Sequence, residues 1–323
     1  MLDEIIKKLK EDRRKIVFTE GEDPRILEAA TRLVAEGIMD VLLCGDPEKV
    51  KAAAATGGFK LDGIEIADPK NYPEMDAMVD TMVELRKGKM SAEECRASLE
   101  KSNYFGTMLV KMGKAHGLLG GATYSTADTV RPALQIVKTK PGNKIVSSSF
   151  IMYRETEKGV EKYAMADCAI NINPDEDALV EIAVETARTA RIFGIDPKVA
   201  MLSYSTKGSG KGETVDMMRN ATEKVKALNP DFEIDGELQF DAAFSPVVAA
   251  TKAKDSTVAG KANTFIFPDI NAGNIGYKIA QRLGGFEAYG PILQGLNAPI
   301  NDLSRGCNAD EVYAMAIITL GTM

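Results

Sequence analysis

The 323-residue sequence has few of the residues on which common catalytic centres are built. His116 is the single histidine, so a multi-histidine metal site is excluded and a Ser-His-Asp or Cys-His nucleophile would have to use it. The four cysteines form no CxxC pair, which fits neither a zinc site nor a dense disulfide scaffold and suits a reducing cytosol. Tryptophan is absent, which disfavours a stacking platform for single-stranded nucleic acid.

Charge and hydropathy narrow the class of protein further. Lysine and arginine total 40 against 47 acidic residues, which gives a formal net charge of −7. This balance disfavours broad binding to nucleic acid or anionic membranes, although a local basic pocket remains compatible with it. No apolar run approaches the roughly 18 residues of a membrane span and the first residues include acids. We therefore expect neither a transmembrane helix nor a signal peptide, and a cytoplasmic location.

Strand-like and helix-like segments alternate along the chain. Residues 15–19 and 41–44 are buried-strand candidates, and each precedes an Asp-Pro turn and a helical pattern. The alternation restarts with candidate strands at 163–166, 169–172, 199–203 and 264–267. This rhythm is typical of parallel sheets, so the sequence predicts an α/β protein with two doubly wound halves and a ligand cleft between them.

A domain boundary is expected near residues 145–165, where Glu155–Lys162 is polar and charged. We place one domain at residues 1–145 together with about 296–323, and the other at 146–295.

The first candidate site is the glycine-rich segment KGSGKG at 207–212, between a predicted strand and a predicted helix. It departs from the phosphate-loop pattern because Ser205 stands at the first glycine position and Gly212 follows the lysine, which leaves no hydroxyl for Mg²⁺. Two interpretations stay open: a flexible loop, or a basic loop that contacts a phosphate at a helix N-terminus.

The second candidate site is the segment GGATYSTADTVRP at 120–132, where two glycines lead through hydroxyl residues into a predicted helix. Backbone N–H groups, the hydroxyl of Ser125 or Thr126, and Arg131 are the types of group that hold a small oxyanion. The alternative is an ordinary helix N-cap with a solvated Arg131.

The third candidate site is the segment NDLSRGCNADE at 301–311, just before the last predicted helix. Asn308 and Glu311 have the spacing of a capping box, which is a purely structural interpretation of Glu311. In the functional interpretation, Arg305 neutralises a phosphate, Ser304 donates to a developing oxyanion and a carboxylate acts as a base.

Taken together, these segments resemble the phosphate acetyl/butyryl transferase family, the phosphotransacetylases. The resemblance extends from about residue 15 to the C-terminus. It rests on five motifs in order: GGATYSTADTVRPALQIVKTKPG at 120–142, ADCAININP at 166–174, SYSTKGSGKG at 203–212, FPDINAGNIGYKIAQRLGG at 267–285, and GPILQGLNAPINDLSRGC at 290–307.

The resemblance implies two α/β/α domains of the isocitrate/isopropylmalate dehydrogenase type, an active-site cleft and a homodimer. It implies the reaction acetyl-CoA + phosphate ⇌ CoA + acetyl phosphate, with coenzyme A as a substrate and with no metal or permanently bound cofactor. In the mechanism it implies, a carboxylate takes the thiol proton in a ternary complex and the thiolate attacks the acetyl carbonyl directly. A serine donates to the carbonyl oxygen, and arginines hold the phosphate.

The catalytic residues are carried over motif by motif. Ser304 and Arg305 match the serine and arginine of the SRGC turn. The family's base is an aspartate seven residues after the serine, where this chain has Glu311, with Asp310 beside it. Because the register of a helix fixes side-chain direction more than length does, Glu311 is preferred to Asp310 as the base.

The substrate-binding residues follow in the same way. Arg131 matches the arginine of the STADT-x-RP segment, and Arg86 matches a further CoA- or phosphate-contacting arginine through a weaker local motif. Ser125, Thr126 and Gly290, which begins the last motif, are placed with them.

Alternative functions remain at this point. The motifs constrain phosphate and CoA more than acyl length, so phosphate butyryltransferase or another short-acyl homologue is one alternative. A metal-dependent NAD(P) dehydrogenase would need an aspartate cluster and a cofactor loop, which the sequence does not offer. A non-catalytic acetyl-CoA-sensing module is another alternative function. A different mechanism is also open, in which Cys307 carries the acetyl group as an acyl-enzyme in place of direct transfer.

Overall fold

The structure is a computed structural model that describes residues 2–322. The chain forms two compact units: the first comprises the chain up to Pro141 and again from Leu296, and the second spans Gly142–Gly295. No helix within residues 2–322 is long and apolar enough to cross a membrane.

The first unit contains a five-stranded sheet. Its strands are β1 (Lys15–Phe18), β2 (Asp40–Cys44), β3 (Ile64–Ala67), β4 (Gly117–Gly120) and β11 (Ile300–Asp302). Their order is β11-β4-β1-β2-β3, and every pairing is parallel. The chain runs from β1 through β2 to β3 on one side and then returns to β4 on the other side of β1. The order therefore reverses between β1 and β4, which is where open α/β sheets bind ligands.

Helices surround this sheet. They are α1 (Asp3–Glu11), α2 (Pro24–Ala35), α3 (Pro47–Gly57), α4 (Met75–Arg86), α5 (Ala92–Leu99), α6 (Ser102–Lys111), α7 (Thr126–Pro132), which continues as a π-helical turn at Ala133–Val137, and α13 (Ala309–Gly321). The predicted Asp-Pro starts of α2 and α3 are confirmed, because the Asp23 and Asp46 carboxylates each accept a backbone N–H of the first turn. Phe105 and Met78 are buried in the core that these helices form with the sheet.

The second unit contains a six-stranded sheet of order β10-β5-β6-β9-β7-β8. Its strands are β5 (Ser147–Thr156), β6 (Gly159–Ala166), β7 (Lys198–Leu202), β8 (Glu233–Leu238), β9 (Thr264–Ile266) and β10 (Glu287–Gln294). Its helices are α8 (Glu176–Ile192), α9 (Glu213–Ala227), α10 (Phe240–Phe244), α11 (Pro246–Lys252) and α12 (Ile270–Arg282). Strands β6, β9, β7 and β8 run parallel, whereas β5 and β10 pair antiparallel.

The α/β class is confirmed, but several local expectations are wrong. Residues 169–172 do not form a strand, because backbone N–H groups there donate to the Asp167 carboxylate instead of to a neighbouring strand. The polar stretch Glu155–Lys162 is the tip of the antiparallel β5–β6 hairpin, and not a linker between domains. Alternating polar residues are the normal pattern of such a solvent-facing hairpin.

Candidate active site

The carboxyl ends of β1, β4 and β11 lie side by side in the first unit. Three polar segments follow them: Thr19-Glu20 after β1, Gly121–Thr126 after β4, and the SRGC turn after β11. Because these strands flank the point where the strand order reverses, we take their ends as the candidate ligand site of this sheet.

Glu20 organises the loop after β4. Its Oε1 accepts the backbone N–H of Gly121 at 3.0 Å and that of Thr123 at 3.1 Å. Its Oε2 accepts the Thr19 hydroxyl at 2.7 Å, and Thr19 in turn is 2.8 Å from the Tyr124 hydroxyl. Burial raises the pKa of Glu20 above its ordinary value, although these hydrogen bonds oppose the shift.

Asp302, the last residue of β11, holds the start of α7. The Thr126 hydroxyl donates to its Oδ2 at 2.6 Å, and the Thr129 hydroxyl donates to its Oδ1 at 2.5 Å. Burial raises the pKa of Asp302, while the two hydroxyls and the nearby charge of Arg305 favour the ionised form.

The SRGC turn is fixed through its backbone. Arg25, held by Asp23 at 2.7 Å, donates to the carbonyl oxygens of Arg305 at 2.9 Å and of Cys307 at 3.1 Å. The Ser304 and Arg305 side chains are exposed. Within residues 2–322, no carboxylate forms a salt bridge with the Arg305 guanidinium, so both its charge and its donors are available to an anion.

Cys307 closes the turn as a buried side chain. Burial raises the pKa of its thiol, with the nearby charge of Glu311 adding to the shift and that of Arg25 opposing it. A raised pKa lowers the fraction of thiolate, which is the nucleophilic form of a cysteine.

The two candidate bases begin α13. The predicted capping box is confirmed: the Glu311 N–H donates to the Asn308 side chain at 2.9 Å, and the Asn308 N–H donates to Glu311 Oε2 at 3.1 Å. Asp310 is instead paired with Arg32 of α2 at 2.5 Å. Glu311 therefore has one engaged oxygen, and Asp310 is directed toward α2.

The hydroxyls predicted to hold an oxyanion donate to carboxylates. Ser125 is the N-cap residue of α7, and its hydroxyl donates to Asp128 at 2.6 Å, while that of Thr126 donates to Asp302. The Arg131 side chain is 60% exposed and lies 3.8 Å from Asp128. Of the groups predicted in this segment, Arg131 is thus the one whose donors face solvent.

Arg86 opens into a basic cavity of about 240 Å³. The basic cavity is lined by Leu85, Arg86, Lys87, Lys89, Leu134, Gln135 and Lys138. Its four cations face no acidic side chain among these lining residues, and the Arg86 Nε is buried without a hydrogen-bond partner. The Tyr104 hydroxyl donates a hydrogen bond to Gln135 of this cavity at 3.1 Å. The charges of Arg86 and Arg131 both act on the pKa of Tyr104, so the two arginines lie in one region.

The remaining candidates each have structural contacts of their own. Gly290 belongs to β10 of the second unit, where an added Cβ would lie 2.7 Å from the Phe150 ring and 2.9 Å from the Ser149 carbonyl oxygen, so close packing accounts for this glycine. In the KGSGKG segment, Lys207 is paired with Asp235 at 2.5 Å. His116 accepts the Lys15 N–H at 2.9 Å.

The sequence reasoning missed Glu20, Arg25 and Asp302 as members of this site. For Glu20 a signal was present, since it follows directly on a predicted parallel strand, whose carboxyl end is where such folds bind ligands, and Arg25 begins the helix that comes next. No group of three or more metal-ligating side chains is found among residues 2–322.

Comparison with known proteins gives a consistent result over nearly the whole chain. The family model "Phosphate acetyl/butaryl transferase" matches residues 1–320. Phosphate acetyltransferase of Bacillus subtilis (strain 168) is 55% identical over 305 residues, which are 94% of this chain and 93% of that protein. Phosphate acetyltransferase of Staphylococcus epidermidis (strain ATCC 12228 / FDA PCI 1200) is 52% identical over 310 residues, with the same two coverages.

A solved structure is equally similar. The phosphotransacetylase from Streptococcus pyogenes superposes with a TM-score of 0.96 at 55% identity, and the match covers 99% of this chain and 96% of that one.

Proposed function

Because the chain belongs to the phosphate acetyl/butaryl transferase family, we propose that it is a phosphate acetyltransferase that interconverts acetyl-CoA and phosphate with CoA and acetyl phosphate. Coenzyme A serves as a substrate in this proposal, and no cofactor stays bound between turnovers. The observation that carries it is the SRGC turn, which presents an exposed hydroxyl and an unpaired guanidinium beside the reversal point of a parallel sheet. These are the groups that an acyl phosphate needs.

In the proposed step, Glu311 takes the proton of the CoA thiol. The thiolate forms a bond to the acetyl carbonyl carbon, and the C–O bond to phosphate breaks, so that phosphate leaves with the bonding pair. Ser304 donates to the carbonyl oxygen as its negative charge grows, and Arg305 and Arg131 hold the phosphate oxygens. The reverse direction uses the same groups in reverse order.

The contacts of the two acids support Glu311 as the base. Asp310 is paired with Arg32, an interaction that stabilises its ionised form and holds it against α2. Glu311 uses Oε2 for the capping box, which leaves Oε1 for a proton. Its charge also acts on the Cys307 thiol, so it lies near the SRGC turn.

The basic cavity supplies a subsite for the phosphate groups of CoA in this proposal. It combines the buried, unpartnered Arg86 Nε with Lys87, Lys89 and Lys138. Four cations without a lining carboxylate favour a multiply charged anion, because each missing internal partner leaves a donor for the ligand.

The surroundings of Cys307 favour direct transfer over an acyl-enzyme. Its side chain is buried and the pKa of its thiol is raised, so the nucleophilic thiolate is disfavoured. The Ser304 and Arg305 side chains are by contrast exposed to an incoming substrate.

The enzyme is further proposed to be a cytoplasmic homodimer. An apolar stripe on and beside α12 consists of Ile275, Ile279 and Leu283, which are 58%, 53% and 85% exposed. Such spacing of four residues aligns them on one helix face, where a second copy would cover them.

Light scattering of Ile279→Asp should give a lower mass than the wild type. Val160→Asp is the control, because Val160 is also 53% exposed but lies in the β5–β6 hairpin, and an unchanged mass for Ile279→Asp would contradict this interface.

One assay tests the proposed function. Phosphate- or arsenate-dependent release of CoA is measured from acetyl-CoA and from butyryl-CoA, without added metal or NAD. Faster release from acetyl-CoA is the expected result. A preference for butyryl-CoA would select a short-acyl homologue, and binding of acetyl-CoA with no release from either ester would refute catalysis in favour of a sensing module.

A further inference from the structure

We propose that Asp302 is a positioning residue for acetyl transfer, which holds the segment carrying Arg131 against the strand end carrying Ser304 and Arg305. The inference rests on the proposed function. Nothing in the motif spacing assigns Asp302 a role, and it does not face the substrate directly because its side chain is buried, with the residue only 2% exposed.

The contacts of Asp302 join two distant parts of the chain. Its two carboxylate oxygens accept the hydroxyls of Thr126 and Thr129, which are 176 and 173 residues away in sequence. Both hydroxyls belong to α7, and Arg131 follows Thr129 by two residues in the same helix. Two bonds from one rigid carboxylate fix both the rotation and the height of a helix, whereas a single bond would leave it free to pivot.

The backbone on either side is shaped for this contact. A Cβ added at Gly121 would lie 2.2 Å from Asp302 Oδ1 and 3.0 Å from the Leu303 N–H nitrogen. Gly121 also has φ of +100°, which side-chain-bearing residues rarely adopt. The close approach of the backbone at Gly121, directly after β4, to the Asp302 carboxylate thus requires glycine.

The charge of Asp302 acts on the site as well. Within the described chain no cation forms a salt bridge with it, and the guanidinium whose charge favours its ionised form is that of Arg305. A buried carboxylate without a salt-bridge partner is costly, and a sequence that needed only to cap α7 could do so with a neutral side chain. The charges of Asp302 and Arg305 therefore act on each other without a direct ion pair between the two side chains.

The first arm of the test changes the charge. In Asp302→Asn, the amide can exchange hydrogen bonds with both threonines because their hydroxyls rotate, so the fold is expected to persist. We expect kcat to fall about 10²-fold, because the charge that acts on Arg305 is lost and small displacements of a group at a reacting centre typically cost that much. The KM for phosphate should rise about tenfold, equivalent to one lost charged contact, while the KM for CoA stays within about twofold.

The second arm changes the tether. Thr126→Val/Thr129→Val removes both hydroxyls and should reproduce the phosphate-specific loss, whereas Thr126→Ser/Thr129→Ser keeps them and should restore activity. Thr319→Val is the matched control, because Thr319 is a buried threonine that accepts a bond at 2.9 Å from Asn301, the neighbour of Asp302 in β11. It should leave both KM values and kcat within about twofold.

Amide hydrogen exchange of residues 121–131 on the same variants separates this inference from the proposed function. If the wild type releases no CoA, the proposed function fails, and faster exchange in the double valine variant still supports positioning by Asp302. Wild-type kinetics and unchanged exchange in both Asp302→Asn and the double valine variant would overturn the inference. The inference would also be overturned if the KM for CoA and the KM for phosphate rose equally in these variants and in Thr319→Val. Such a shared rise would indicate only a weakened fold.

Discussion

Each sheet has a buried aspartate at a carboxyl edge, and the two differ in what they hold. In the second unit, Asp167 accepts the N–H groups of Ala169, Ile170 and Asn171 at 2.9, 3.2 and 3.0 Å, as well as the Ser148 hydroxyl and the Asn171 amide. Most of these partners follow it within four residues. In the first unit, both hydroxyls that donate to Asp302 come from a distant helix.

The difference separates a carboxylate that folds its own loop from one that aligns two segments. Backbone N–H groups cannot become acceptors, so both side-chain oxygens of Asp167 must accept hydrogen bonds. Hydroxyls can reverse, so the fold tolerates a neutral side chain at Asp302 better than at Asp167. The charge of Arg305 acts on Asp302, which links this carboxylate to the proposed phosphate-binding group.

Among the variants that test this comparison, Arg305→Ala is expected to lower kcat the most. Removing the unpaired cation should lower kcat about 10³-fold, in the range found when one charge-stabilising donor is removed from a transition state. The fold should persist because the side chain is exposed. Steady-state kinetics with thermal unfolding measure both effects.

The control for Arg305 is Arg13→Ala. Arg13 is paired with Asp40 at 2.8 Å at the opposite, amino end of the same sheet, and its loss should leave kcat within about twofold. Near-normal turnover of Arg305→Ala would show that this edge of the first sheet takes no part in the reaction.

The second effect concerns the base. Glu311→Gln should lower kcat by about 10² or more, because a general base typically contributes 10²- to 10⁴-fold. Glutamine preserves the capping box, so stability should change little. The paired variant Asp310→Asn should stay within a few-fold, since Asp310 is 83% exposed and engaged with Arg32. The assignment would be reversed if Asp310→Asn alone were inactive.

The third effect sets Asp167→Asn against Asp302→Asn. An amide at residue 167 turns an NH₂ group toward backbone donors, which should cost about 1–3 kcal/mol of unfolding free energy. Its kcat should remain near the wild-type value. Asp302→Asn should show the opposite pattern, a stable protein with impaired transfer. Equal stability losses in the two variants, measured by denaturant unfolding, would erase the distinction between the two edges.

Local signals in the sequence predicted the starts of α2, α3 and α13 correctly. The caps by Asp23 and Asp46, and the Asn308–Glu311 capping box, depend on residues no more than three positions apart. Such signals survive folding because the same neighbours remain in contact in any helix.

The two short strands that carry the site were not predicted. Strand β4 has only two apolar side chains, which lie between glycines, and β11 has only one, so neither shows the run of β-forming residues that revealed β1 and β9. Asp302 was missed for a different reason. Thr126 and Thr129 are distant from it in sequence and become its neighbours only when β11 joins the sheet beside β4. The SRGC and STADT segments were found as motifs, but the carboxylate between them is a tertiary feature.

The smallest effect expected is a pH-dependent difference at Glu20. Because burial raises the pKa of Glu20, the folded state binds its proton more tightly than the unfolded state does. Its contribution to stability is therefore complete below the ordinary carboxyl range, near pH 4, and is lost as the pH rises through the raised value. In Glu20→Gln, the amide oxygen still accepts the N–H groups of Gly121 and Thr123, and its NH₂ donates to Thr19, whose hydroxyl turns to Tyr124. The Tm of the wild type minus that of Glu20→Gln should therefore fall from acid to neutral pH. A Tm difference that stays flat or rises with pH would show that the edge of the first sheet carries no buried charge at Glu20.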